Sequence, residues 1–247
     1  LLNEAILAAA ARFPAAAAHS LGATVTPARS SRQVSTARRR FLGLAAPGLF
    51  GLALAFAVAP AQAQTVVPVD QLMAPGPLPD IAQGPANAPV TIVEYASMTC
   101  SHCAAFHEET WPQLKAKYVD AGKVRFILRE FPLDPLATAG FMLARCAGPD
   151  KRDSIVDLLY TQQKNWAFVE KPIEALAALV KQAGISQADF ETCLNNQALY
   201  DQVNQAREGA AKNFKINGTP TFFVNGSEMN GEQRIEDFDK ALAPLLK

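Results

Sequence analysis

The hydrophobic pattern along the chain changes period several times, and each change marks an element. Residues 90–95 read Val-Thr-Ile-Val-Glu-Tyr. β-Branched and aromatic side chains suit a pleated surface, so a strand is predicted here. Glu94 falls on the same face as Val90 and Ile92. Either that face is buried and takes a carboxylate with it, or this is an edge strand with Glu94 in water. From Cys100 to about residue 119 the period becomes helical. Phe106, Leu114 and Tyr118 can share a stripe, and Pro112, which has no N–H, is expected to kink the helix midway. Ala121-Gly122 ends it, and residues 123–129 alternate as a second strand. Strand, helix, strand in that order argues for a parallel pair joined by a right-handed crossover.

From 134 to 212 only helical patterns occur. Residues 135–147 are small and apolar, and residues 150–163 carry Ile155, Leu158, Leu159 and Gln162 at helical spacing. Pro172 sits where a first helical turn accepts proline, followed by Ile173, Leu176, Leu179 and Val180, with Gly184 as the stop. Ser186 with Asp189 resembles a capping pair for a helix carrying Phe190 and Leu194. A further helix is expected over residues 199–213. Five helices in about 80 residues form a helical insert, too much structure for a surface loop. Strand signals return at Thr221-Phe222-Phe223-Val224, then the hairpin dipeptide Asn225-Gly226 and a short return through Met229. Ile235, Phe238, Leu242 and Leu245 place a closing helix over 234–246. The predicted fold class is α/β, in the order β-α-β, all-helical insert, β-β-α. The corresponding segments are 89–133 and 213–247 for the sheet domain and 134–212 for the insert. Residues 64–88, with Pro68, Pro75, Pro77, Pro79 and Pro85, read as an extended linker.

Composition is that of an ordinary globular chain, with 49% hydrophobic and 19% charged residues. The formal charge of zero conceals a split. Residues 1–63 hold six Arg and one acid, Glu4, for +5, whereas residues 64–247 hold 17 basic and 22 acidic residues, for −5. An acidic body with no basic run argues against nucleic acid as a partner. The split coincides with an export signal. Arg38-Arg39-Arg40-Phe41-Leu42 precedes an apolar stretch over 41–59, and Ala61-Gln62-Ala63 supplies an A-x-A site. Cleavage after Ala63 is expected. The R-R-x-F-L string and the weakly hydrophobic, glycine-containing stretch fit a twin-arginine signal, with a Sec signal or a retained anchor as the alternatives. Residues 1–34 are Ala- and Ser-rich and read as an over-long n-region.

The candidate chemistry is Cys100-Ser101-His102-Cys103 at the start of a helix. Spacing of three places both sulfurs on the first turn, close enough to bridge. Unpaired N–H groups and the partial positive charge of a helix N-terminus stabilise a thiolate, so Cys100 should have a lowered pKa. His102 lies within the ring, and its imidazolium adds in the same direction. Metal ligation by Cys100, His102 and Cys103 is the rival, but no second Cys/His pair is nearby. A packing role without chemistry also stays open at this point.

Val93-Glu94-Tyr95 leading to Cys100-Ser101-His102-Cys103 with Phe106-His107, the helical insert, and Gly218-Thr219-Pro220-Thr221-Phe222-Phe223-Val224-Asn225-Gly226 together resemble the thioredoxin-fold thiol:disulfide oxidoreductases of the DsbA type. The resemblance covers about residues 88–246. It implies that Cys100 is the exposed nucleophile and Cys103 its buried partner, with Cys100–Cys103 as the redox-active disulfide. It implies a cis-proline at Pro220, with Thr219, Pro220 and Ser101 meeting the substrate, and a buried acid at Glu94 that assists proton transfer. It implies disulfide donation to unfolded exported proteins with free thiols in the periplasm of a bacterium. Reoxidation would come from a membrane quinone oxidase of the DsbB type, with neither metal nor organic cofactor. Ser101-His102 stands where strong oxidants often carry Pro-His, and Thr219 occurs in reductase and isomerase branches too. Those directions therefore remain alternatives, as does a non-catalytic peptide-binding module. The short segment before the first strand favours a monomer over the dimeric isomerase branch. Cys146 and Cys193 are read as a structural disulfide of the kind some family members carry, two buried thiols being the alternative. His107 reads as a solvated helix residue, Trp111 and Trp166 as packing, and Met98 as either core or groove.

Overall fold

The central strand of the sheet has neighbours on both edges, and this decides what is buried. The structure, a computed structural model, describes residues 66–247; the expected export signal over 1–63 lies outside them. Five strands are ordered β1-β3-β2-β4-β5: β1 (Ala82–Gln83), β2 (Val90–Ala96), β3 (Val124–Glu130), β4 (Thr221–Val224) and β5 (Ser227–Asn230). β2 pairs parallel with β3, and every other pairing is antiparallel. Glu94 lies opposite Leu128 on one side and Phe222 on the other. The edge-strand alternative is thereby excluded, and Glu94 is fully buried.

Each sheet face has its own core. On one face Val90, Ile92, Phe126, Leu128 and Phe222 meet the helices that follow β2 and the insert, together with Phe238 and Leu242 of the last helix. On the other, Val93, Tyr95, Ile127 and Phe223 pack against Leu72, Ala210 and Ile216. Strands covered on both faces read as near-continuous apolar runs, as β2 and β4 do.

The segment 66–88 departs from the expected linker. It holds a short helix, α1 (Val69–Leu72), and strand β1, which pairs with Phe126 and Ile127 of β3. Arg129 secures it by binding both carboxylate oxygens of Asp80 and the carbonyl of Leu72. A two-residue strand carries no readable period, so only the tertiary partner reveals it. At the hairpin, Asn225 and Gly226 both have positive φ, as a type I′ turn requires. Gly226 also receives the N–H of Val67 at its carbonyl, and a Cβ there would stand 2.0 Å from the Val67 oxygen.

The helical stretch after β2 comprises α2 (Ser101–Ala105), a π-helical turn (Phe106–Thr110), α3 (Trp111–Leu114) and a second π-turn (Lys115–Val119). The helical stretch around Pro112 is interrupted by wider turns: the N–H of Trp111 reaches back five residues to the carbonyl of Phe106.

The insert has six helices where five were expected: α4 (Pro135–Cys146), α5 (Pro149–Thr161), α6 (Gln163–Trp166), α7 (Pro172–Gln182), α8 (Gln187–Leu194) and α9 (Gln197–Phe214). Asp134, Ser186 and Asn196 cap α4, α8 and α9 by accepting backbone N–H bonds, and Pro135, Pro149 and Pro172 occupy first turns. In α5 the buried stripe is Ile155, Val156, Leu159 and Tyr160, with the expected Leu158 only half-buried. The last helix, α10 (Ile235–Leu242), stops before Leu245, which is exposed. Trp111 and Trp166 are buried packing residues, the latter donating its indole N–H to the Leu159 carbonyl at 2.8 Å. Met98 is core, packed against Gly140 of α4.

A buried ion cluster joins the insert to the sheet. Glu130, at the end of β3, receives two hydrogen bonds from Arg145 of α4, at 2.8 and 3.0 Å, and one from Arg152 of α5 at 3.1 Å. Burial opposes its charge, but Arg152 and then Arg145 hold its carboxyl below the usual range. Within the insert, Cys146 and Cys193 are bridged, tying the end of α4 to α8 across a separation of 47 residues. A loop of that length is worth roughly 4 kcal/mol in the chain-entropy description. Replacing both cysteines by alanine should therefore lower unfolding stability by about 2–4 kcal/mol. Urea titration under non-reducing conditions measures it, and an unchanged midpoint would show that the bridge contributes nothing.

Candidate functional site

Cys100 is the N-cap of α2, with extended backbone ahead of the first helical turn. Its sulfur takes the place of the usual cap oxygen, accepting the N–H of Cys103 at 3.4 Å. Three further features frame it. The Cys100 thiol donates to the Thr219 carbonyl at 3.3 Å, and the Thr219-Pro220 bond is cis. From the insert, Gln163, itself buried, donates one amide to the carbonyls of Met98 and Cys100 at 2.8 and 2.9 Å, fixing the loop that enters the helix. Ser101 and His102 are exposed on the first turn. His102 Nδ1 lies 3.0 Å from a carboxylate oxygen of Glu232, in the segment between β5 and α10.

The two cysteines are electrostatically opposite. Cys100 is lowered to about 5, chiefly by hydrogen bonding from the Cys103 side chain. The Thr219 side chain and the N–H groups of Cys103 and His102 add to this and overcome the opposing effect of burial. The Thr219 hydroxyl is buried and makes no hydrogen bond in the structure, so it is free to serve a thiolate. Cys103 has no exposed surface. Burial pushes its thiol well up, and its bond to Cys100 and the charge of Glu94 push the same way. His102 is raised by its bond to Glu232 and by the Cys100 charge, so the imidazolium is favoured beside the thiolate.

Beneath the pair lies a second layer. Glu94 Oε2 is 3.0 Å from Nε2 of His107, whose side chain is 3% exposed. The solvated reading of His107 is therefore incorrect. The ring stacks on Tyr160 of α5 at 4.3 Å, with 19° between planes. The signal was present in the spacing, since His107 stands four residues beyond the buried Cys103 and shares its helical face. Gln163 and Glu232 left no such trace, because each meets the site from more than 60 residues away in the chain.

Among the described residues, no group of three or more His, Cys, Asp or Glu is arranged to hold a metal ion. Cys100 is itself largely buried, at 9% exposure, and so is not the exposed nucleophile that the resemblance implies, although Cys103 lies deeper, at 0%. What the arrangement offers is a nearly covered thiolate and a core thiol, one helical turn apart. That is the asymmetry required for thiol–disulfide exchange.

Residues 78–243 match the family model described as Thioredoxin. The chain belongs to the thioredoxin family. Two relatives of this thioredoxin-family chain, from Rickettsia conorii and Rickettsia typhi, carry the words protein-disulfide oxidoreductase in their names. They are 33% and 35% identical over 169 residues, which is 68% of this chain. The matched region spans only 61% and 62% of their length. Among solved structures, α-DsbA1 of Wolbachia pipientis superposes with a TM-score of 0.66 at 26% identity, covering 72% of this chain and 96% of its own. BdbD of Bacillus subtilis, at 20% identity, TM-score 0.57, and 68% and 92% coverage, shares the fold.

Thiolate absorbance in the ultraviolet should titrate with a midpoint near pH 5 in the reduced protein, and Cys100→Ser should abolish the transition. Because this pKa is depressed on folding, its stabilisation of the reduced form is complete above the ordinary value of 9.0 and is lost as pH falls through about 5. A midpoint close to 9.0 would remove the hydrogen-bond argument for an activated Cys100.

Proposed function

We propose that the protein is a thiol:disulfide oxidoreductase that donates the Cys100–Cys103 disulfide to unfolded exported proteins. The observation that carries this reading is the helix cap formed by sulfur. Cys100 in its thiolate form is held by the Cys103 N–H and the hydrogen bonds around it. Stabilising the reduced form raises the tendency of the disulfide to accept electrons.

The steps follow from the two environments. A substrate thiolate attacks the Cys100 sulfur, the Cys100–Cys103 bond breaks, and a mixed disulfide forms while Cys103 leaves and takes up a proton. A second substrate thiolate then attacks the substrate sulfur of that mixed disulfide. Cys100 departs as a stabilised thiolate, the substrate gains a disulfide, and the enzyme holds two reduced sulfurs. Both electrons of the substrate dithiol now reside on the protein. A quinone-linked membrane oxidase of the DsbB type is the proposed acceptor that restores the disulfide. The Thr219 backbone beside Cys100, with Pro220 and the exposed Ser101, is the proposed substrate rim, where an extended chain can pair along a backbone edge. A periplasmic location in a bacterium is part of the proposal. It is supported by the arginine run, the apolar stretch and the A-x-A site before residue 64, and by the oxidising chemistry such a compartment allows.

A disulfide reductase or isomerase would use the same residues in the other direction. Equilibration of the purified protein with glutathione separates the readings. A reduction potential near that of DsbA, about −120 mV, is expected. A value near that of thioredoxin, about −270 mV, would overturn the donor role in favour of a reductase. Cys100→Ser should abolish oxidation of a reduced substrate; retention of the full biological effect by that variant would instead favour a peptide-binding module.

A further inference from the structure

The exchange chemistry leaves a proton unaccounted for at a place water does not reach. Cys103 departs as a thiolate when the disulfide opens, and its raised pKa means that it must then gain a proton. It must lose the same proton before it can attack the mixed disulfide that regenerates Cys100–Cys103. The residue has no exposed surface.

We propose that His107 and Asp157 extend Glu94 into a proton relay that links the buried Cys103 sulfur to solvent. The relay rests on the exchange reading, but not on its direction, because donor and reductase both cycle this proton. Its parts come from three elements. Glu94 lies on the face of β2 whose Val90 and Ile92 pack in one core with Cys103, is fully buried there, and has one carboxylate oxygen, Oε1, buried and without a partner. Its other oxygen is 3.0 Å from Nε2 of His107, on the π-turn. Across the ring, Nδ1 of His107 lies 4.0 Å from an Asp157 oxygen on α5, and that side chain is 53% exposed. An imidazole can accept a proton at one nitrogen and release it from the other. Here one nitrogen faces a buried carboxylate and the other a surface carboxylate. Asp157, being half in water, can change rotamer on a fast timescale and close the remaining gap.

Two observations favour transport over mere packing. A histidine buried only for structure normally has both nitrogens satisfied, whereas Nδ1 of His107 is buried without a hydrogen bond. Tyr160 Oη and Glu94 Oε1 are likewise buried and unpartnered, so three unsatisfied polar atoms occur around one ring and its carboxylate. His107 also sits in the π-turn, a local widening that recurs at functional sites. Stacking on Tyr160 holds the plane of the ring, leaving the two nitrogens aimed at their carboxylates.

The titratable and charged groups around this path are Glu94 from β2, Cys100 and Cys103 from α2 and its cap, and Lys115 from the second π-turn. From α5 come Arg152, Asp153, Asp157 and Tyr160. The test uses the full chain and stopped-flow exchange with a synthetic peptide carrying two reduced cysteines. The pH runs from about 5 to 8, so that the dependence of the rate on a general acid–base group can be read. His107→Gln keeps a nitrogen donor toward Glu94 but cannot pass a proton. It should slow exchange about 100-fold, the lower range for general acid–base assistance, and flatten the pH profile. Asp157→Asn should slow exchange about tenfold, with recovery on adding small carboxylate or imidazole buffers that can serve the exposed end. In both variants the Cys100 thiolate midpoint and the equilibrium with glutathione should hold. Wild-type rates in both variants, or a loss of rate that tracks an equal shift in the glutathione equilibrium, would overturn the relay. If His107→Gln does not fold, buffer rescue of Asp157→Asn decides alone: its presence supports the relay and its absence overturns it. Failure of the unaltered protein to exchange would overturn the exchange reading itself, and the relay with it.

Discussion

A helix that begins with a sulfur governs the rest of this site. The first N–H groups of any helix lack partners, and a cap atom must meet them. Cys100 supplies that atom, so whatever stabilises the start of α2 also stabilises negative charge on sulfur. The neighbours follow from this requirement. Thr219 approaches from the loop before β4, and Gln163 holds the entering backbone from the insert. Three parts of the chain far apart in sequence are needed to keep one sulfur at one place.

Charge is distributed by depth. At the rim Cys100 is lowered to about 5 beside an exposed His102, while one turn deeper Cys103 is raised by burial. Deeper still, Glu94 and His107 form a buried pair, with Oε2 and Nε2 3.0 Å apart.

The insert does more than cover the sheet. Glu130 with Arg145 and Arg152 locks α4 and α5 against the end of β3. That fixes where α5 presents Tyr160 and Asp157, and where Gln163 follows. Breaking one member of such a cluster leaves an uncompensated buried charge, which is why its geometry is hard to vary. The Cys146–Cys193 bridge ties the end of α4 to α8.

Much of this was legible in one dimension. The alternating runs at 90–95 and 123–129, the helical patterns of the insert, the Asn225-Gly226 turn and the Cys100/Cys103 spacing are local, and local sterics and burial period encode them. The register of β2 between two neighbours was not, and it shows the burial of Glu94 that the resemblance implies, because alternation cannot tell a central strand from an edge. His107 was misread because a lone polar residue on a helix defaults to water until a buried partner from another element meets it. β1, Gln163 and Glu232 carried no local signal. Local sequence encodes which segments form strands and helices and which turn holds the two sulfurs. Which charges are buried, what each sulfur faces and where a proton can travel follow from the assembled fold, since burial and electrostatic distance depend on residues brought together from across the chain.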